Sequence, residues 1–326
     1  MALFRRNINL NSDNSTGFGT SSDASGSRFY RKDGTANVVK KGLTVFERYS
    51  WYHTMLSLPR WKFWLMLLLV YILINLFFAG VYLLIGVKHL DGMNARSFSD
   101  QFAEAFFFST QTFTTVGYGR INPVGHWAGV ISSLEAFVGL LSFALATGLL
   151  YGRFSRPVAF LKFSEMAIIA PYKGITALMF RMVPFKNNHL TDAEVKLTLA
   201  IKIEEEGNHV NKFYPLKVEI DKINALALNW TVVHPIDERS FLWQLSPNDL
   251  KMVDAELMIF VKAFDETFSN TVVARSSYTF NEIIFGKKFI PMYGPSENRQ
   301  TTILDLDKLS ETVPVELPVI TPPSAV

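Results

Sequence analysis

The sequence predicts a membrane protein in which a helical part is followed by an all-β part. Two segments, residues 63–87 and 127–152, are long and apolar enough to cross a bilayer as helices. After Lys162, apolar and polar residues alternate, which is typical of half-buried strands. The composition agrees, because 49% of the 326 residues are hydrophobic and only 19% are charged, so part of the apolar surface should face lipid.

Charge and motif content exclude several functions. A net charge of +3 is too small to indicate a nucleic-acid partner, and the absence of Cys excludes disulfides, thiol catalysis and Cys-ligated metals. The sequence has no glycine-rich phosphate loop, nucleophile elbow or metal-ligand spacing. We therefore expect neither an enzyme nor a bound cofactor.

The first span runs from Phe63 to Val87 without a charge, and as a helix it would be about 37 Å long, more than the roughly 30 Å of hydrocarbon. A signal peptide would be shorter and closer to the N-terminus. The second span, Trp127–Gly152, is interrupted only by Glu135 and is rich in small residues, which favour close helix packing in lipid.

The flanking charges predict the orientation. Ten basic residues against four acids precede the first span, and Arg153, Arg156 and Lys162 follow the second without an intervening acid. Cytoplasmic segments carry such an excess of cations. The sequence therefore predicts a multi-pass protein with both termini in the cytoplasm.

The regions before the first span and at the C-terminus have distinct compositions. Residues 1–42 are rich in Ser, Asn, Gly and Asp and predict a disordered tail. Residues 43–60 have helical apolar spacing and predict an amphipathic helix in the membrane interface, with an ordinary packed helix as the alternative. Residues 313–326 contain four Pro and predict an extended tail.

The β part, residues 156–312, follows from alternating runs. Residues 195–203 place Val, Leu and Ile on one face and charges on the other, and Leu216, Val218 and Ile220 repeat the alternation. Further strand-like runs occupy residues 226–233, 256–263 and 272–280. Several short strands with polar turns predict an antiparallel sandwich.

Residues 102–113, in the predicted pore domain of residues 61–155, are apolar but too short to span, so they predict a re-entrant segment. The potassium-filter pattern TVGYG follows, formed by Thr115, Val116, Gly117, Tyr118 and Gly119. Carbonyl oxygens of such a segment replace the hydration shell of K⁺, the only metal expected, and glycine readily adopts the backbone conformations required. Two helices cannot surround an ion, so we expect a homotetramer.

Four further motifs give the chain a resemblance to the prokaryotic inward-rectifier potassium channels: Phe154–Pro157, Trp230–Asp237, Ala274–Tyr278 and Glu282–Gly286. The resemblance implies a membrane α-helical pore, with two transmembrane helices and a re-entrant pore helix, joined to an all-β immunoglobulin-like cytoplasmic sandwich. It also implies K⁺ as the permeant ion and a place in the cell (inner) membrane.

The resemblance assigns roles to residues of the second span. A stripe on one helix face would line the pore, with bulky members acting as gates: Leu140, Phe143, Thr147 and Tyr151. For Leu140, plain helix packing is nearly as good an interpretation. Gly139 and Gly148 are hinge candidates, with helix packing as the alternative. Glu135 lies about 140° around the helix from Leu140, so we expect it behind the filter and away from the ion.

The resemblance also implies anionic phospholipids such as phosphoinositides as ligands of a basic cluster: Arg60, Lys62, Arg153, Arg156 and Lys162. Glu206 and Glu266 match acids of a cytoplasmic pore. Polyamines, Mg²⁺ and Ba²⁺ are the implied blockers, although Phe143 stands where strong rectifiers have a pore acid. Gln111 replaces a family Glu and Arg120 is one residue early, so the usual charge pair behind the filter is not expected.

Two other functions would explain part of the sequence. A membrane-anchored β-sandwich adaptor accounts for the spans and strands but leaves the TVGYG motif unexplained. A two-helix potassium channel that is not a rectifier accounts for the pore, but the motifs of the β part argue against it.

Overall fold

The structure, a computed structural model, describes residues 17–18, 28–39, 41–42, 44, 50–186, 188–205 and 208–318. It has two compact units. The helical unit spans residues 40–156, and the β unit contains residues 28–39 and 157–318.

In its described residues, the helical unit has four α-helices and one short pair of strands. In chain order these are α1 Trp51–Ser57, α2 Arg60–Ile85, β1 Leu90–Asp91, α3 Phe98–Phe113, β2 Asn122–Pro123 and α4 His126–Phe154. The strands pair antiparallel, and a 3₁₀ turn at Val87–His89 precedes β1. Both α2 and α4 have the length and apolar composition of membrane-spanning helices.

Local chemistry sets the ends of these helices. Pro59 precedes α2, and Gly86 ends it with a φ of 107°, a conformation that favours glycine. The helix α3 begins with a capping box, in which Ser97 and Asp100 each accept a hydrogen bond from the other's backbone N–H. It is therefore a well-defined helix, in agreement with the pore helix that the resemblance implied.

The core of the helical unit lies where α2, α3 and α4 meet. Phe78, Ala79 and Tyr82 of α2 pack against Ala105 and Phe108 of α3. Away from this core, α2 and α4 leave large apolar side chains exposed, in keeping with a membrane environment.

The helix α1, Trp51–Ser57, lies within residues 43–60, the segment predicted to form an interfacial helix. It buries Leu56 and leaves Trp51 and Tyr52 exposed, at 77% and 60%. An amphipathic helix of this kind suits a membrane interface. Phe46 and Tyr49, which contributed to the predicted pattern, lie outside the described residues.

Two five-stranded sheets form the β unit. One contains β6 Leu190–Glu205, β7 Asn208–Leu216, β8 Lys222–Ala225, β10 Glu256–Asp265 and β11 Asn270–Thr279; the other contains β3 Leu161–Phe163, β4 Ala167–Tyr172, β5 Ile175–Pro184, β9 Trp230–Ile236 and β12 Ile283–Phe285. Two outer pairs are β13 Lys287–Phe289 with β16 Thr312–Pro314, and β14 Tyr293–Pro295 with β15 Thr302–Leu304. The short helix α5 covers Pro247–Met252, and 3₁₀ turns lie at Phe280–Glu282 and Leu306–Leu309.

Side chains from both sheets fill a single large core, which includes Phe180, Leu199, Val232, Leu257 and Tyr278. All strand pairs are antiparallel except that of β4 with β12. This is the sandwich architecture that the alternating pattern predicted.

One predicted strand is wrong. Leu216 ends β7, and the residues from Val218 to Ile220 form no strand. Here the chain crosses between the sheets, because Glu219 donates its backbone N–H to Val233 of one sheet and the Asp221 carbonyl accepts from Val195 of the other. The alternation reflects a crossing segment that buries Val218.

Residues 28–39, called the strap below, lie against the β unit where the composition predicted a disordered tail. The buried Glu256 carboxylate accepts the backbone N–H groups of Phe29 at 2.6 Å and Tyr30 at 3.2 Å. Arg28 pairs with Glu282 at 3.0 Å. Burial raises the pKa of Glu256, and its hydrogen bonds from Ser277 and the strap backbone oppose that rise. Hydrogen bonding, an ion pair and packing of the Phe29 ring 5.5 Å from that of Phe213 thus hold the strap on the β unit.

The C-terminal region also differs from the predicted extended tail. Residues 312–314 form β16, and Leu317 packs against the large core. Residues 319–326 lie outside the described part of the chain.

Candidate functional site

The segment after α3 has an alternating backbone. Thr115, Gly117 and Gly119 have φ values of 60°, 53° and 81°, whereas Val116 and Tyr118 have negative φ. Alternation between left-handed and right-handed conformations turns successive carbonyls toward one side, unlike the alternating carbonyls of a β-strand. This segment can therefore present a row of oxygens to one axis.

Glycine is required here by conformation and not by space. A Cβ atom added at Gly117 or Gly119 would meet nothing within 4 Å, but both residues lie in the left-handed region that other residues rarely adopt. Thr115 adopts the same conformation despite its Cβ, which stores strain at the start of the segment.

The last turn of α3 holds this segment. The Gln111 carbonyl accepts the backbone N–H groups of Val116 at 2.9 Å and Gly117 at 3.3 Å, and the Thr112 carbonyl accepts that of Thr115 at 3.1 Å. At the other end, the Asn122 side chain donates to the Gly119 carbonyl at 2.9 Å. The carbonyl row is thus fixed at both ends.

A buried polar network lies behind the segment. Glu135 of α4 is completely buried and accepts hydrogen bonds from the Tyr82 hydroxyl at 2.6 Å and from the Ser109 hydroxyl. The Asn75 side-chain oxygen lies 3.1 Å from the same Ser109 hydroxyl. Glu135 thus packs among protein groups, in the manner expected of an intramembrane carboxylate.

An ion pair that the sequence did not predict lies near the segment. Arg120 contacts Glu104 of α3 at 3.0 Å, and the second Glu104 oxygen accepts the backbone N–H of Asn94 at 3.0 Å. No charge pair was expected here, because Gln111 replaces the acid that is usual in the family. The pair instead uses an acid seven residues earlier on α3.

The predicted pore stripe of α4 is exposed in the single chain. Leu140, Phe143 and Tyr151 are 61%, 74% and 74% exposed, and the exposed Thr147 hydroxyl bonds the Phe143 carbonyl at 2.9 Å. Leu145, off the stripe, is also 71% exposed. Exposed apolar side chains thus lie both on this stripe and off it.

The two hinge candidates differ in their surroundings. Gly139 is buried at the contact between α4 and the end of α3, whereas a Cβ at Gly148 would meet nothing within 4 Å. Close approach of two backbones explains Gly139 without a hinge. Gly148 has no such explanation.

The basic residues fall into two groups. Arg153 is engaged within the helical unit, because it donates to the carbonyls of Met55 and Leu58 and lies 5.0 Å from the Phe63 ring centre. Arg60, Lys62 and Arg156 are exposed there, and Lys162 is exposed in the β unit. Arg153 therefore connects the α1–α2 corner to α4, a role that sequence spacing did not indicate.

Of the two predicted cytoplasmic-pore acids, Glu206 lies outside the described residues. Glu266 is exposed at the turn after β10 and lines a 640 Å³ cavity of the β unit with Lys186 and His189. Its surroundings contain both charge signs.

Comparisons with known proteins find matches in both units. The family "Inward rectifier potassium channel C-terminal domain" matches residues 161–325, and the family "Ion channel" matches residues 65–156. The inward rectifier potassium channel Kirbac3.1 of Paramagnetospirillum magnetotacticum is 33% identical over 290 residues, which cover 87% of this chain and 95% of that protein.

Two other relatives match most of the chain at lower identity. The G protein-activated inward rectifier potassium channels 2 of Pongo abelii and Rattus norvegicus are each 29% identical over 289 residues, covering 81% of this chain and 67% of theirs. A solved DNA glycosylase of Pseudomonas fluorescens overlaps with a TM-score of 0.19 and 10% identity, covering 58% of this chain and 48% of its own. That likeness is too weak to support an inference.

Proposed function

The chain belongs to the inward rectifier potassium channel family, and from that premise we propose that K⁺ passes along the backbone of residues 115–119. The family consists of membrane ion channels and not of enzymes. K⁺ is accordingly the permeant ion, and no enzymatic cofactor is implied.

The alternating backbone is the observation that carries the proposal. Positive φ at Thr115, Gly117 and Gly119 favours carbonyls on one side of the segment, where they can replace the hydration shell of an ion. The Thr115 hydroxyl would add one further ring of oxygens. Hydrogen bonds from the segment to the Gln111 carbonyl and from Asn122 to the Gly119 carbonyl help to hold these oxygens in place.

We propose a homotetramer, because one row of carbonyls can contact only one side of an ion. An apolar cavity of 430 Å³ between α2 and α4, lined by Tyr71, Phe113 and Phe143 among others, gives room for a helix of a neighbouring copy. The exposed apolar faces of both helices fit such packing.

We further propose that the gate lies at the cytoplasmic end of α4, near Tyr151. A bulky exposed ring on each of four helices can close a pore by excluding water. Gly148 lies three residues away with free space around it and is the better-placed hinge. Both termini would face the cytoplasm, in the cell (inner) membrane, as the charges indicate.

Anionic phospholipids are the proposed regulators, with Arg60, Lys62 and Arg156 as the exposed cations of the helical unit. Arg153 would act indirectly, by holding the α1–α2 corner. Ba²⁺, Mg²⁺ and polyamines are proposed blockers, with weak polyamine binding because Phe143 supplies no charge.

Rubidium uptake into liposomes containing the purified protein tests this function. We expect uptake that excess Na⁺ leaves unchanged and that Ba²⁺ blocks, since Ba²⁺ is close in size to K⁺ but more highly charged. Absence of Ba²⁺-sensitive uptake from intact tetramers would favour the membrane-anchored adaptor.

A further inference from the structure

Glu135 is unusual because a completely buried carboxylate lies within a membrane-spanning helix. Such a group is costly, and it persists where specific donors compensate for lost hydration. Here the donors come from two other helices, Tyr82 of α2 and Ser109 of α3. One carboxylate therefore joins all three helices.

The bond from Ser109 is the more informative of the two. Ser109 is completely buried in the last two turns of α3 and lies two residues before Gln111. The Gln111 carbonyl in turn accepts the backbone N–H groups of Val116 and Gly117. A continuous path of hydrogen bonds and rigid helix thus runs from α4 to the carbonyl row.

Tyr82 has a different place in the network. It lies on α2 near the centre of the helical core, with its ring 5.0 Å from that of Phe108. Its hydroxyl holds the other oxygen of Glu135 and so fixes the orientation of the carboxylate. The bond from Tyr82 thus orients Glu135, and the bond from Ser109 holds α3.

We propose that Glu135 is a positioning residue for ion selectivity, which holds the end of α3, and through it the carbonyl row, by its bond with Ser109. This inference rests on the proposed filter function of residues 115–119. A shift of α3 changes the distances between carbonyls and ion, and selectivity depends on those distances and on the rigidity of the segment.

The test measures how strongly K⁺ and Na⁺ each compete with rubidium uptake through tetramers of the full chain. The quantity compared between variants is the ratio of the two competition strengths, K⁺ over Na⁺. We expect Ser109→Ala and Glu135→Gln each to lower this ratio by about tenfold, the usual scale for losing one hydrogen bond to a charged group. Tyr82→Phe should leave the ratio within about twofold, because Ser109 still holds α3.

Ser133→Ala is the matched control. The Ser133 hydroxyl lies on α4, the helix that carries Glu135, and is exposed. Among the described residues it donates to the Gly129 carbonyl of that helix at 2.8 Å. This variant should behave as wild type. The double variant Ser109→Ala with Glu135→Gln should lose no more selectivity than Ser109→Ala alone, because both changes break one connection.

Three results would overturn the inference. They are wild-type selectivity in Ser109→Ala tetramers, losses that multiply in the double variant, and failure of both single variants to form tetramers, which would make the network a packing element only. A wild-type protein without selectivity would instead reject the proposed filter itself, so the two failures are distinguishable.

Discussion

Gly139 lies so close to Phe113 that a Cβ atom on the glycine would be 2.0 Å from the Phe113 carbonyl oxygen. The inner face of α4 therefore touches the backbone at the end of α3, immediately before the carbonyl row. No side chain longer than hydrogen fits without moving one helix. This close contact explains why position 139 is glycine, and the explanation requires no bending of α4.

Gly139→Ala should therefore displace α3 and destroy flux or tetramer assembly. We expect at least about a tenfold loss of rubidium uptake, since the clash is with backbone and not with a movable side chain. Gly129→Ala, also in α4, is the comparison, because a Cβ atom there meets nothing within 4 Å. Normal flux from Gly139→Ala would show that the two helices separate easily.

Gly117→Ala should abolish selective flux while leaving membrane insertion intact. The φ of 53° is unfavourable for alanine by roughly 1–2 kcal/mol, so the row of carbonyls should distort. Rubidium uptake with competing Na⁺ measures the effect, and Gly80→Ala, in α2 with free space around it, is the control. Unchanged selectivity in Gly117→Ala tetramers would reject residues 115–119 as the filter.

Tyr151→Ala should raise basal flux several-fold, because removing the ring widens and wets the proposed constriction. Leu145→Ala removes a similarly exposed side chain from another face of α4 and should have little effect. If uptake by intact Tyr151→Ala tetramers equals that of wild type, the barrier lies elsewhere and Leu140 is the next position to replace.

Graded phosphoinositide in the liposomes should change rubidium uptake, and Lys62→Gln should weaken that response by removing one exposed cation per chain. The direction of the change depends on which state binds the lipid more tightly.

Arg153→Gln should also reduce thermal stability, because it frees the carbonyls of Met55 and Leu58. Lys88→Gln, on the predicted outer side, is the control; equal responses from all variants would exclude lipid recognition by this cluster.

Arg28→Ala should loosen the strap. The arginine bonds Ser277 and Glu282, so its loss should speed hydrogen exchange at the amides of Phe29 and Tyr30 by about tenfold or more. Hydrogen exchange of the full-length tetramer measures this directly. Arg31→Ala, whose side chain bonds only Asn37 within the strap, should exchange as wild type; equal exchange in both variants would contradict anchoring by Arg28.

The sequence predicted best what local periodicity determines. Both spanning helices lie within three residues of their predicted ends, because each contains a long apolar run that only a helix can satisfy in lipid. The long strand β6 likewise follows from strict alternation at residues 195–203.

Such local patterns could not predict contacts between residues that are far apart in the sequence. Glu256 lies 227 residues from Phe29, and nothing in the polar composition of the strap indicates a buried carboxylate as its partner. Glu104 and Arg120, which form an ion pair, lie before and after the carbonyl row in the sequence. The family pattern places the acid of such a pair at position 111, so it did not predict Glu104. The alternation at residues 216–220 was misleading because Leu216 ends β7, Val218 is buried in the segment that crosses between the sheets, and Ile220 is 55% exposed.

The position of the strap has a consequence for the order of events during synthesis. The strap leaves the ribosome early, but Glu256 and Glu282 follow only after both spanning helices and most of the strands have been made. Closing so long a loop is slow and depends on a finished β unit. Docking of the strap should thus be a late step of maturation, which follows synthesis of the chain up to Glu282.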